Sequence, residues 1–298
     1  MWKADKWRDY ELIEASDGKR LERWGDVILV RPDPQVIWTG QARDRRWKTP
    51  DGVYTRSRSG GGEWTVRKMP ESWTVSYGDL RFMLRPMGFK HTGLFPEQAS
   101  NWDWFSDIIR RRAVRKDGGK VRVLNLFAYT GGATAAAAEA GAEVVHVDAA
   151  KGMVAAAKEN LALSGLADAP VRYIVDDCKK FVEREIRRGR AYEGIIMDPP
   201  SYGRGPNGEL WKLEDCAHEL IRLAASLLSD EPLFFLVNSY TTGLSPASMR
   251  FMLGASLRDD LADRAHIEAA EIGLPISAYK GADFAVLPAG ASVRCEFE

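Results

Sequence analysis

The sequence predicts an α/β chain: a mostly parallel, doubly wound sheet ending in an antiparallel hairpin, preceded by a small β-rich domain. Three observations predict it. From about residue 121, short apolar runs alternate with helix-patterned segments, the signature of βαβ units. The alternation stops near the end, where 267–272, 284–287 and 291–297 read as strands with only loops between. Residues 1–73 instead hold seven of the ten tryptophans and many turn formers, among them Asp17-Gly18, Pro32-Asp33-Pro34, Asp51-Gly52 and Gly60-Gly61-Gly62. We place the domain boundary between 88 and 89, giving a β-rich N-terminal domain over 1–88 and a larger domain over 89–298.

In the first domain, 27–30, 35–38, 53–56, 63–66, 73–76 and 81–84 read as strands, each short and bounded by turn signals. The segment 97–114 reads as a helix: Trp102, Phe105, Ile108 and Ile109 follow helical spacing, and Arg110-Arg111-Arg112 closes its last turn. Then come strand 121–127, an alanine-rich helix through Ala140, strand 144–148 and helix 151–163. Strand 171–175, helix 179–188, strand 194–198, a loop, helix 213–228, strand 233–237 and a helix near 246–257 complete the alternation.

Composition excludes several classes. Cys178, Cys216 and Cys295 are too few and too dispersed for a disulfide framework or a zinc cluster. The four histidines form no H-x-x-x-H pair, so no metal is expected. No apolar run reaches the roughly 18–20 residues that span a bilayer. The charged start lacks the apolar core of a signal peptide, so a cytoplasmic protein is expected. Lys plus Arg and Asp plus Glu both number 42, yet the charge is uneven. Residues 1–120 carry 24 basic and 17 acidic side chains, whereas 121–298 carry 18 and 25.

Four segments carry chemistry. Strand 123–126 ends in Phe127-Ala128-Tyr129-Thr130-Gly131-Gly132, a small-residue turn opening a helix, where a backbone can approach a ligand. It lacks G-x-G-x-x-G, which disfavours a dinucleotide and hence a dehydrogenase. Asp148 ends the second strand, where a carboxylate can accept two ribose hydroxyls or cap the next helix. Asp176-Asp177-Cys178 follows the third strand; a carboxylate there can meet an adenine amino group or cap a helix, and Asp177 is preferred to Asp176. Asp198-Pro199-Pro200-Ser201-Tyr202 follows the fourth. Two prolines stiffen it and remove two donors, leaving the carboxylate and nearby carbonyls as acceptors, with Tyr202 a stacking face.

These motifs resemble class I S-adenosylmethionine-dependent methyltransferases, and within them the bacterial 23S ribosomal RNA methyltransferase family making 5-methylcytosine or 7-methylguanine. His91-Thr92-Gly93-Leu94-Phe95-Pro96-Glu97-Gln98 is similar to a further segment of that family. The resemblance covers roughly 90–298 and implies a Rossmann-like seven-stranded methyltransferase sheet with a terminal antiparallel hairpin. It implies S-adenosyl-L-methionine as cofactor, held by Thr92, Phe95, Asn125, Phe127, Ala128, Tyr129, Thr130, Gly131, Asp148, Ala149, Asp177, Cys178 and Asp198. Asp198, Pro199, Pro200 and Tyr202 would serve the methyl acceptor.

The 5-methylcytosine enzymes keep a nucleophilic cysteine after the fifth strand, where this sequence has Val237-Asn238-Ser239-Tyr240-Thr241. A cysteine-adduct mechanism is therefore not expected. An exocyclic amine would be oriented by Asp198 and a carbonyl, whereas guanine N7 would need positioning alone. RNA, as ribosomal RNA, is the expected substrate, with a protein or small molecule as the alternative and a non-catalytic cofactor- or RNA-binding protein as another. Arg43, Arg45, Arg46 and Lys48 around Trp47, with Arg56, Arg58, Arg67 and Lys68 near Trp64, form either an RNA surface or a solvated face over a tryptophan-rich core. The sequence leaves the oligomeric state open.

Overall fold

The structure, a computed structural model, describes residues 1–57, 61–112, 118–204, 210–241, 243–279 and 281–298. Arg58, Gly60 and Val114 lie outside the described residues. The chain divides into two compact units, 1–100 with 272–289 and 101–271 with 290–298. The first unit thus extends past residue 88 and takes in a C-terminal stretch. Local bonds explain both additions. Arg85 N donates to the Thr92 carbonyl (3.0 Å) and Trp7 Nε1 to the Pro96 carbonyl (2.8 Å), tying down 89–100. Ser277 Oγ donates to Glu11 (2.5 Å) and Tyr279 Oη to Gln41 (2.7 Å), tying down 272–289.

The first unit begins with β1 (Trp2–Lys3), followed by β2 (Tyr10–Ser16), β3 (Lys19–Trp24), β4 (Val27–Pro32), β5 (Gly52–Arg56) and β6 (Gly62–Val66). β2 to β6 form one sheet in sequence order, parallel only between β4 and β5. β7 (Trp73–Tyr77) and β8 (Leu80–Leu84) form a separate hairpin.

Two of these strands, β2 and β3, escape a reading based on apolar alternation because their buried positions include charges. Glu22 is fully buried and accepts from Arg31 Nε (2.6 Å), Arg31 Nη2 (2.9 Å) and Tyr10 Oη (2.9 Å), with Arg20 at 3.3 Å. Buried charge survives only when paired in this way. Conversely, 35–38 is no strand. Asp33 Oδ1 takes the Gln35 amide (2.9 Å) and the Asp33 carbonyl takes that of Val36 (3.3 Å), bending the chain after Pro34.

The second unit starts in α1 (Ala99–Arg111) and alternates β9 (Arg122–Leu126), α2 (Gly132–Glu139), β10 (Glu143–Asp148), α3 (Lys151–Leu163), β11 (Val171–Val175), α4 (Cys178–Arg187) and β12 (Gly194–Met197). A hairpin not foreseen in the sequence, β13 (Tyr202–Arg204) and β14 (Leu210–Lys212), precedes α5 (Leu213–Ala225). β15 (Phe234–Ser239), α6 (Pro246–Gly254), α7 (Asp259–Ala262), β16 (Ala265–Pro275) and β17 (Val286–Phe297) follow, with 272–275 of β16 and 286–289 of β17 counted in the first unit. The sheet order is β1-β16-β17-β15-β12-β9-β10-β11. Seven strands follow the expected pattern, and β1 adds an eighth by pairing with Ile272–Gly273.

β12 and β15 are buried at every position, as expected of parallel strands covered on both faces. β17 runs antiparallel to β15 and merges two of the short strands expected at the end. Pro288 lies before the stretch paired with β15, which begins at Ala291.

Candidate functional site

β9 lies between β12 and β10, so the strand order reverses there. In doubly wound sheets ligands sit beyond the carboxyl ends of the strands at such a reversal. The register aligns Val237, Met197, Leu126, Val147 and Ile174 in one row across five strands. The residues that follow this row are Asn238, Asp198, Phe127, Asp148 and Val175. All four chemistry-bearing segments therefore leave the sheet along one edge.

The turn after β9 is held at almost every amide. Phe127 N donates to Cys178 Sγ (3.3 Å), Ala128 N to the Val147 carbonyl (3.0 Å), Tyr129 N to Asp148 Oδ2 (2.8 Å) and Gly131 N to the Ala128 carbonyl (3.0 Å). Phe127 and Tyr129 have φ of 56° and 49°, a left-handed conformation that costs non-glycine residues about 1–3 kcal/mol each. Aligned on Gly132, a G-x-G-x-x-G run would put its first two glycines at these positions. The backbone thus takes a glycine-type path without the glycines, and the bonds to Cys178 and Asp148 hold it there.

Gly131 is required on two counts. Its φ is 83°, and a Cβ would lie 2.8 Å from Ala157 Cβ on α3. A Gly131→Ala protein is expected to lose about 2–4 kcal/mol of stability, combining left-handed strain with overpacking. Urea unfolding checks this; an unchanged midpoint would count against both the strain and the overpacking.

Asp148 caps nothing by its side chain beyond the Ala150 amide (2.8 Å) and uses its other oxygen for Tyr129. Each carboxylate oxygen accepts more than one bond, so both retain capacity for a pair of hydroxyls. Ala149, between them, is exposed. Asp176 is committed elsewhere: it pairs with Arg184 and takes the Asp177 amide (2.9 Å). Asp177 caps α4 through the Lys180 amide (2.9 Å), so the capping alternative is realised there.

Asn125 is buried and turned into the fold, where its Nδ2 donates to Thr134 Oγ1 (2.9 Å). Thr134 Oγ1 in turn lies 2.9 Å from His146 Nδ1. Thr130 is also buried, and its carbonyl accepts from Asn160 Nδ2 (2.8 Å). Burial pushes the Cys178 thiol up and keeps it protonated, so it acts as a bracket for Phe127 rather than as a nucleophile.

At the end of β12, Asp198 N approaches the Leu126 carbonyl (3.4 Å), and Asp198 Oδ1 is sealed from solvent. Pro199 is buried and Pro200 exposed. Tyr202 is 57% exposed, presenting its ring outward. Trp211 on β14 was missed in the sequence. Its Nε1 donates to the Pro200 carbonyl (2.6 Å), and its ring lies 5.8 Å from that of Phe127. The one signal available was an isolated tryptophan just beyond the Asp-Pro-Pro loop. Thr92 and Phe95 belong to the first unit: Thr92 is buried, and Phe95 stands edge-on to His91 at 4.9 Å.

Carboxylates after β12, β10 and β11 and a backbone loop held open by left-handed residues form a set of polar groups suited to an adenosine-bearing cofactor. The profile of the S-adenosylmethionine-dependent methyltransferase family matches residues 50–251. The chain belongs to this family. A solved S-adenosylmethionine-dependent methyltransferase from Agrobacterium tumefaciens is 34% identical, with a TM-score of 0.88 over 99% of this chain and 92% of that one. A chain described as a methyltransferase complexed with S-adenosylhomocysteine shares the fold at 18% identity and a TM-score of 0.73, over 99% of this chain and 76% of that one. Among curated relatives, ribosomal RNA large subunit methyltransferase K/L of Shewanella baltica is 34% identical over 233 residues. That match covers 76% of this methyltransferase but only 30% of the length of the relative.

No helix among the described residues is long and apolar enough to cross a membrane. No group of three or more His, Cys, Asp or Glu among them could hold a metal ion.

The tryptophans proposed for base stacking are anchored within the first unit. Trp47 Nε1 donates to Glu14 (2.7 Å), and its ring packs on Ile13, Leu21 and Val30. Trp64 Nε1 donates to the Met87 carbonyl (2.9 Å). Arg46 is held by Asp44 at 2.9 and 2.7 Å, while Arg43, Arg45, Lys48, Arg56, Arg67 and Lys68 keep side-chain surface open to solvent.

Proposed function

We propose that this methyltransferase modifies a nucleobase of ribosomal RNA in the cytoplasm, with Asp198, Pro199, Pro200 and Tyr202 serving the acceptor. The observation that carries the reading is the sheet edge, where Asp198 and Phe127 of the cofactor loop directly follow the paired Met197 and Leu126. S-adenosylmethionine, when bound, supplies an electrophilic methyl group on a sulfonium. The chain then has to bring an acceptor in line with it and exclude water. Asp148 would accept the ribose hydroxyls. Ala149, Asp177 and Cys178 would border the adenine, and Phe127–Gly131 would present backbone to the rest. Thr92 and Phe95 are the further residues that the family resemblance assigns to the cofactor. Asn125 supports the Phe127–Gly131 loop from below through Thr134.

On the acceptor side, the Asp198 carboxylate and the Pro199 carbonyl would both accept N–H bonds, so that an amine lone pair, or a ring nitrogen, points at the methyl. No cysteine is poised to add to a pyrimidine. Burial raises the thiols of Cys178 and Cys216 and pushes that of Cys295 to about 12. A base in a paired region has to be flipped or single-stranded to reach this edge, and an outward ring such as Tyr202 suits stacking on it.

Tritiated methyl transfer to RNA from a strain lacking the protein, followed by nucleoside mapping, tests substrate class and atom together. Label in protein or small molecules instead of RNA would overturn the reading, as would no transfer at all. In the same assay, Tyr202→Ala is expected to weaken RNA affinity about 10-fold, the loss of one stacked base at about 1–3 kcal/mol. Unchanged affinity and turnover would remove Tyr202 from the site. RNA binding should also weaken steeply with salt if the exposed cations of the first unit contact phosphates.

A further inference from the structure

We infer that Trp211 is a positioning residue that couples the cofactor loop to the Asp-Pro-Pro loop. The inference rests on the reading that Asp198 and Pro199 face the methyl acceptor. Pro199 and Pro200 have fixed φ and no amide hydrogen, so this segment cannot be pinned through its own donors. What remains soft is ψ, which sets where each carbonyl points. The Trp211 indole N–H fixes it at Pro200, at 2.6 Å. That bond turns the Pro200 carbonyl toward β14 and leaves the Pro199 carbonyl and Asp198 as the acceptors for substrate.

The tryptophan itself is placed by pairing. Gly203 stands opposite Trp211 in the β13–β14 ladder, and Leu213 N donates to the Ser201 carbonyl (3.1 Å). The indole therefore spans both loops, bonded to Pro200 on one side and ring-to-ring with Phe127 at 5.8 Å on the other. Phe127 is in turn the left-handed residue whose amide is held by Cys178 Sγ at 3.3 Å. A continuous path thus runs Cys178, Phe127, Trp211, Pro200. Cofactor binding against Phe127 would tighten the loop that orients the acceptor, so the acceptor site is completed only when the methyl donor is in place.

Hydrogen exchange of the Ser201, Tyr202 and Gly203 amides, with and without saturating S-adenosylhomocysteine, tests this directly. In the wild type the ligand should slow exchange at these amides. In Trp211→Ala the slowing should disappear, although calorimetry still registers bound ligand. Trp211→Phe keeps a ring against Phe127 and loses the N–H, so it should retain part of the effect. Equal ligand-induced slowing in wild type and Trp211→Ala overturns the inference, and so does the absence of slowing in the wild type.

In methyl transfer, Trp211→Phe should lower kcat about 10-fold with the KM for S-adenosylmethionine within about 3-fold of wild type. Trp211→His, which restores a ring N–H, should regain part of the loss. A purely structural tryptophan would instead lower the urea midpoint and leave kcat per folded molecule unchanged. If the wild type methylates no RNA, the substrate reading fails, and the exchange experiment still decides the role of Trp211.

Discussion

An Asp198→Ala protein is expected to transfer methyl groups about 10²–10³-fold more slowly than wild type, the range seen when one preorganised partner of a transition state is removed. The loss should appear mainly in kcat, with cofactor affinity reduced about 10-fold or less. The reason is local. Asp198 is half-buried, with Oδ1 sealed from solvent, and the two prolines after it leave no amide that could rotate in as a substitute. An acceptor N–H facing the alanine would stay unpaired in a partly dry site, which is costly. Asp198→Asn keeps a side-chain carbonyl of the same shape and should fall between the two. Single-turnover transfer to RNA from a strain lacking the protein measures all three, and an Asp198→Ala rate above half that of wild type would move the acceptor site elsewhere.

A second large effect is expected far from this edge. Glu22→Ala should destabilise the first unit by about 3–5 kcal/mol, because it takes the bonded carboxylate from the buried Arg31 guanidinium and leaves the buried Arg20 with Asp33 at 3.5 Å. Burial alone would raise the Glu22 pKa. The charges of Arg20 and Arg31 outweigh it and, with bonds from Arg31 and Tyr10, bring it down to about 2. A carboxylate with a depressed folded pKa contributes stability that is fully present above its unfolded value. That contribution is lost as pH falls from about 4.5 toward about 2. The wild type should therefore lose stability across this window, and Glu22→Ala, having none of it to lose, should show a flatter profile there. Tryptophan fluorescence in urea at several pH values reports this, since Trp24 lies against Arg31 at 5.5 Å. Parallel profiles for the two proteins would show that the Glu22 pairing does not carry the acid sensitivity.

These two residues also mark how far the sequence is legible. Asp198 announces itself: it ends an apolar run, precedes two prolines and repeats the position of Asp148 on a nearby strand. Glu22 does not. Its strand reads as polar, because a carboxylate, two arginines and a tyrosine neutralise one another only after β2, β3 and β4 are side by side. The same holds for Trp47 and Trp64. Interleaved with cations they suggest a stacking surface, but Glu14 and the Met87 carbonyl hold their indole nitrogens within the first unit. The make-up of the first unit has a similar cause, since 272–289 joins it through bonds to Glu11 and Gln41, more than two hundred residues away in sequence.

By itself, then, the sequence determined the βα alternation of the second unit and the loops that end β9, β10, β11 and β12. Apolar periodicity, turn residues and helix starts are short-range properties, and the succession of strands and helices follows from them. The tertiary structure alone decided which polar groups these loops use on one another. Phe127 is held by Cys178, Tyr129 by Asp148, and Trp211 crosses from the acceptor loop to Phe127. Hydrogen-bond and ring partners depend on distances across strands, and those exist only once the sheet has closed.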